Sequence, residues 1–173
     1  SLLMFGVFQG DRLVVAFSVS AEELSRYALA LQLGLMPTLI VARGSLSLLL
    51  PLLAKQQDHK PVFLGIYQQA MLVLVLFACL FILGYTLFGN QIISLIFGAE
   101  FAISEAVLAW LGYGLAIRII RVGPSTAALA LGDSRTLMQA NLLRLGGLAL
   151  TVWVGLTGMG LAYIAAAAAL GET

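Results

Sequence analysis

Residues 72–85 read LVLVLFACLFILGY, fourteen positions without a charge and without alternation of apolar and polar side chains. A strand of a transmembrane β-barrel would alternate over about ten residues, one face to lipid and one to the lumen. This run does not, so it reads as the middle of a membrane helix, and the apolar stretch around it extends over 62–88. Similar stretches cover 1–19, 24–54, 102–131, 137–156 and 158–170, each able to supply all or part of the ~20 residues that cross a hydrocarbon core. The composition agrees: 61% hydrophobic, 10% charged, mean hydropathy +1.04, against roughly 25% charged in a soluble domain. The expected fold class is an all-α integral membrane bundle of about six transmembrane helices.

The connecting segments follow from turn and polar signals at 18–23, 55–61, 89–101, 132–136 and 157–160. With alternating sides, Lys55, Lys60 and Arg135 fall in the second and fourth loops, and Glu22, Glu23 and Glu100 in the first and third. The positive-inside rule then places loops 55–61 and 132–136 in the cytoplasm. The nine basic and eight acidic residues are distributed by this topology, and no nucleic-acid surface is implied. Segment 90–97, NQIISLIF, reads as a short helix lying at the outer interface. No signal-peptide features open the chain, and both ends read as cut from a longer protein.

Cys79 is the single cysteine and sits mid-helix, where it reads as packing. His59 lies in a hydrated loop between Asp58 and Lys60. No pair of intramembrane carboxylates, no nucleophile elbow and no metal-ligand spacing emerges, so the chain is not read as an enzyme or a metal site. Cofactors are expected to be none, beyond a coupling ion, H+ or Na+, that the sequence does not specify. Gly112-x-Gly114 and Gly146-Gly147 most simply permit close helix packing.

What remains is a set of arginines in apolar surroundings: Arg12, Arg43, Arg118, Arg121 and Arg144. One arginine at a bilayer centre costs about 2.5–3.5 kcal/mol on insertion scales, and such residues mark substrate pathways by default. Helical spacing groups them with other polar residues. Ser25, Gln32, Met36, Arg43 and Ser47 share one side of the second helix. Gly114, Arg118, Arg121 and Ser125 share one side of the fourth, Asn141, Arg144 and Thr151 one side of the fifth, and Gln9 and Arg12 one side of the first. At 1.5 Å per residue, Arg12 lies about 15 Å from the outer surface, Arg118 about 20 Å, Arg43 about 18 Å and Arg144 about 10 Å from the inner one. An anion arriving from the cytoplasm would meet them in succession. Against this, long arginine stems also snorkel to the interface, a reading that fits Arg144 best. Asp11 reads as a counter-ion, a proton site or a cation ligand. The third helix carries Tyr67, Gln68 and Gln69 near one end and then nothing ionisable, so it is expected to be the most lipid-exposed. Pro37, Pro51 and Pro124 interrupt the long second and fourth helices, as hinges or as harmless kinks in tilted helices.

The order GDRLVVAFSVSAEELSRYALALQLGLMP (10–37), LLLPLLAKQ (48–56), IISLIFGAEF (92–101), ALALGDSRTLMQANLLR (128–144) and TGMGLAYIAAA (157–167) resembles the polysaccharide and O-antigen flippases. These share a superfamily with lipid II flippases and multidrug and toxin extrusion transporters. Thr136-Leu137 after Asp133-Ser134-Arg135, where the lipid II branch has proline, favours the polysaccharide branch. Ser25 stands where the family commonly has glycine before the tyrosine, here Tyr27.

The resemblance implies a longer protein of two pseudo-symmetric bundles in a MATE-like fold, of which this chain is most of the second, the N-terminal bundle being its missing partner. It implies a bacterial cytoplasmic membrane location and movement of a polyprenyl-pyrophosphate-linked oligosaccharide to the outer leaflet by alternating access. Arginine suits a pyrophosphate because guanidinium pairs bidentately with phosphate oxygens and stays charged. Arg43, Arg118 and Arg121 are the expected head-group contacts, Arg12, Asp11 and Arg144 the other cavity residues, and Gln32, Asn141 and Tyr113 the candidates for sugar. Two alternatives stand: a multidrug efflux transporter, which would want more intramembrane carboxylate than Asp11 and Glu105, and a non-transporting scaffold or glycan-polymerising enzyme, which would want acid or base residues in a large outer loop.

Overall fold

The structure is a computed structural model that describes residues 21–133 and 161–171 and, between them, 135, 138–140, 142, 146, 147 and 151–154. Among the described residues the regular structure is entirely helical. Helix α1 (Ala21–Gly44) passes through a π turn (Ser45–Leu49) into α2 (Leu50–Lys55); α3 is Lys60–Phe97, α4 Glu105–Ala130 and α5 Leu161–Leu170, with a 3₁₀ turn at Ala99–Phe101. Three helical stretches are long and apolar enough to cross a membrane: Glu22–Lys55, Lys60–Phe97 and Glu105–Ala130. The expected first helix, 1–19, lies outside the described residues, as does much of 137–156.

Helix α4 is the hub and packs against α1, α2, α3 and α5. Half of its most apolar window (50%) is buried within the chain, against 17% for α3 and 11% for the α1–α2 span. Both the polar and much of the apolar side of α1 are left uncovered, with Met36, Leu39 and Ile40 all exposed.

Lipid tails are as apolar as leucine, so apolar burial alone does not hold membrane helices together; close backbone approach and buried hydrogen bonds do. Both are present. Gly34 of α1 faces the Leu115 side chain of α4 and the Tyr85 ring of α3, where any Cβ would collide. Gly114 of α4 lies against the Ala169 backbone of α5, with its ideal Cβ position 3.2 Å from the Ala169 Cα, which bears out a packing role for the Gly112-x-Gly114 pair. The buried Tyr85 hydroxyl donates to the Ala30 carbonyl of α1 at 2.6 Å. Around this bond lies the main cluster, with Tyr27, Ala30, Leu31, Leu108, Leu111, Leu115 and Ile164 among its buried members.

The expected break at 89–101 is shorter than the sequence suggests. Helix α3 runs through Gly89 and Asn90 to Phe97, so 90–97 is its last two turns and not a separate interfacial helix. The reason is at Asn90: its amide donates to the Ile103 carbonyl at 2.8 Å and its carbonyl oxygen accepts from the Ile103 backbone N–H at 3.0 Å. A polar side chain is thereby satisfied across the turn without ending its own helix. Gly98, at φ 111°, makes the actual stop, and Ser104 caps α4 by accepting from the Val107 N–H at 3.4 Å.

The prolines behave differently from one another. Pro37 and Pro124 sit inside continuous α-helix, whereas Pro51 follows the π turn, in which the Leu50 N–H reaches back five residues to the Ser45 carbonyl. A proline ring clashes with the carbonyl four residues before it, here Ser47, and the wider turn relieves that clash.

Candidate functional site

Helix α4 presents its polar stripe at the edge of its packed face. Gly114 is buried against α5, and Arg118, Arg121 and Ser125, on the following turns of the same side, are half-buried. Arg118 and Arg121 each engage a partner within the chain. Arg118 lines a cleft formed by Tyr27 and Leu31 of α1, Trp110, Leu111, Gly114 and Leu115 of its own helix, and Ala165, Ala168 and Ala169 of α5. The alanine run of α5 gives the cleft its smooth wall, because methyl side chains let the helix backbone lie close to α4. The cleft holds about 20 Å³, room for roughly one water molecule. The cleft is too small to hold a group the size of a pyrophosphate.

Two aromatic residues border the same site. Trp110 lies two turns before Arg118, and its ring packs edge-to-face on Tyr113 with centroids 6.1 Å apart and planes at 89°. Both rings are more than a third exposed. The sequence reading singled out Tyr113 and missed Trp110 and the cleft-facing role of Tyr27; the spacing of eight residues between Trp110 and Arg118, which keeps them on neighbouring faces of one helix, was the available signal.

Helix α1 tells a second story. Its core face is Tyr27, Ala30, Leu31, Gly34 and Thr38, all buried. At about 100° per residue, Gln32, Met36 and Arg43 lie about 140° to 180° around the helix from Tyr27, and all three are exposed. Arg43 lies in the last α-helical turn before the π segment, and its carbonyl accepts from the Ser47 hydroxyl at 3.0 Å. The three expected head-group contacts thus occupy different settings: Arg118 lines a cleft between helices, Arg121 is half-buried on the same helix, and Arg43, like the sugar candidate Gln32, is on the exposed side of α1. Ser25, the first member of that stripe, uses its hydroxyl on the Glu22 carbonyl at 2.7 Å, next to an exposed Arg26–Glu22 ion pair at 2.5 Å.

Asp11, Arg12, Asn141 and Arg144 lie outside the described residues. Thr151, the partner of Asn141 and Arg144 on the expected stripe, is buried and donates its hydroxyl to the Gly147 carbonyl at 3.0 Å. His59 is exposed in the turn before α3, as expected for a hydrated loop. Among the described residues no group of three or more His, Cys, Asp or Glu side chains is placed to hold a metal ion.

No protein-family profile, no curated protein and no solved structure matches this chain.

Proposed function

We propose that this chain is part of a transporter that moves a polyprenyl-pyrophosphate-linked oligosaccharide across the bacterial cytoplasmic membrane for surface polysaccharide synthesis. The observation that carries the reading is the placement of Arg118 and Arg121 on α4, the most enclosed of the three candidate spans among the described residues. Charges that merely decorate a lipid-facing surface would fall on α3, which carries none between Lys60 and Phe97. A half-buried arginine lining a cleft within a membrane-spanning helix suits an anionic head group.

In this reading the described helices belong to one six-span bundle of a two-bundle, MATE-like transporter. The open side of α1, with Gln32 and Arg43, faces the other bundle across a central cavity, and the membrane lipids cover the outer side of α3. Loops 55–61 and 132–136 face the cytoplasm. The head group binds first to the arginines of the inner half, and the sugars pass along the polar stripes as the two bundles rock. No acid–base chemistry is required of the chain.

The test is substitution in the full-length protein. Arg118→Ala and Arg43→Ala are each expected to abolish surface polysaccharide while membrane levels of the protein stay at wild type. Normal surface glycan in both variants would remove the arginines from the mechanism.

A further inference from the structure

The long span Glu22–Lys55 is held near its two ends by separate clusters, with only partly buried side chains such as Val41 and Leu49 packed between them. Its outer part is held in the main core by Tyr27, Ala30 and Leu31. Its inner part, α2, is held by a small cluster of three buried side chains, Leu53, Phe63 and Ala130. The π turn Ser45–Leu49 between them contains no buried residue. Behind that turn is an open groove of about 460 Å³, walled by Gly44, Ser45, Leu48 and Leu52 on one side and by Gln69, Val73 and Phe77 of α3 on the other.

Four local features converge on this turn. Gly44 has nothing within 4 Å of where a Cβ would stand, so no packing fixes the backbone there. Pro51 cannot close the normal hydrogen bond to the Ser47 carbonyl. The Ser47 hydroxyl shares its one proton between the carbonyls of Arg43 at 3.0 Å and Gly44 at 3.2 Å, a back-bond of the kind that bends helices. And a π turn holds one residue more per turn than an α turn needs, which gives the helix slack to be taken up or released.

We infer that the π turn is a hinge: α2 swings about Ser45–Leu49, leaving and rejoining α3 at Phe63, and so widens or closes the groove between the two helices. The arm that moves is α2, because among the described residues its cluster has three buried members against fourteen in the main core. The inference concerns only the mechanics of this chain and stands whatever is transported.

Spin-label distance measurements on the full-length protein in lipid nanodiscs test it. Cys79 is first replaced (Cys79→Ala), and label pairs are placed at the exposed positions Ile40 and Lys55 across the turn and, as a rigid reference of equal sequence separation, Leu72 and Leu87 on α3. The 40–55 distance distribution is expected to be broad or two-peaked and the 72–87 distribution narrow. Pro51→Ala, which restores the missing N–H, should narrow the 40–55 distribution to the width of the reference. Gly44→Ala, whose added methyl meets open space, is the second variant should Pro51→Ala fail to insert, and should narrow the distribution in the same direction. A 40–55 distribution as narrow as the reference in the unsubstituted protein overturns the hinge, as does a broad distribution that the inserted variants leave unchanged.

Discussion

Tyr85 and Asn90 each tie one helix to another through a backbone group, and each bond has a measurable weight. Tyr85→Phe removes only the hydroxyl that donates to the Ala30 carbonyl, a carbonyl that also sits within a helical ladder. Side-chain hydrogen bonds within membranes average about 0.6 kcal/mol and reach about 1.7, so a loss in that range is expected in unfolding titrated with a denaturing detergent. Asn90→Ala removes a donor and an acceptor at once and strands the N–H and C=O of Ile103. About 2–3 kcal/mol is expected in the same assay, and Asn90→Asp, which keeps the acceptor, should fall between Asn90→Ala and wild type. Asn90 also shows why the helix end was not legible. Glycine followed by asparagine and glutamine ordinarily marks a turn, and only the partner thirteen residues later, brought close by the fold, explains why the helix continues. The tyrosine was hidden for the same reason: hydrogen-bond partners 55 residues apart leave no periodic trace.

Among the helices, apolar length and the absence of alternation were enough to identify α1, α3 and α4, because those properties belong to a segment by itself. Polar stripes were legible in the same limited sense. Spacing tells which residues share a face of their own helix; which neighbour that face meets depends on the others. Gly114 and Arg118 of the α4 stripe meet α5 and α1, while Gln32, Met36 and Arg43 of the α1 stripe stand exposed. Close approach is likewise a property of pairs, and glycine substitutions separate it from helix propensity. Gly34→Ala should destabilise by about 1–3 kcal/mol, because its methyl would enter space held by Leu115 and Tyr85. Gly65→Ala, on α3 with nothing within 4 Å, should be neutral or stabilising by up to about 1 kcal/mol. Equal effects at the two positions would mean that Gly34 is not the contact point between α1, α3 and α4.

For the whole molecule, an apolar exterior of this extent has to be covered. Leu72, Val73, Leu76, Leu80, Leu83 and Leu87 all stand exposed along α3, and Leu39 and Ile40 along α1. The protein is accordingly expected to remain in the membrane fraction after a high-pH carbonate wash, which strips peripheral proteins and not spanning ones. Recovery in the soluble wash would rule out the membrane-spanning reading. Composition alone made this much legible, because apolar length belongs to a segment by itself, whereas what covers the exposed side of α1 does not.

Helix α3 carries a further consequence in its size. Its 38 residues rise about 57 Å, almost twice the ~30 Å of an average hydrocarbon core, and its last turn keeps Leu95, Ile96 and Phe97 exposed. Such a helix is better matched by a thick host membrane than by a thin one. Reconstitution in a series of phosphatidylcholines of increasing acyl-chain length should raise its thermal stability step by step, making the protein a gauge of the membrane it inhabits.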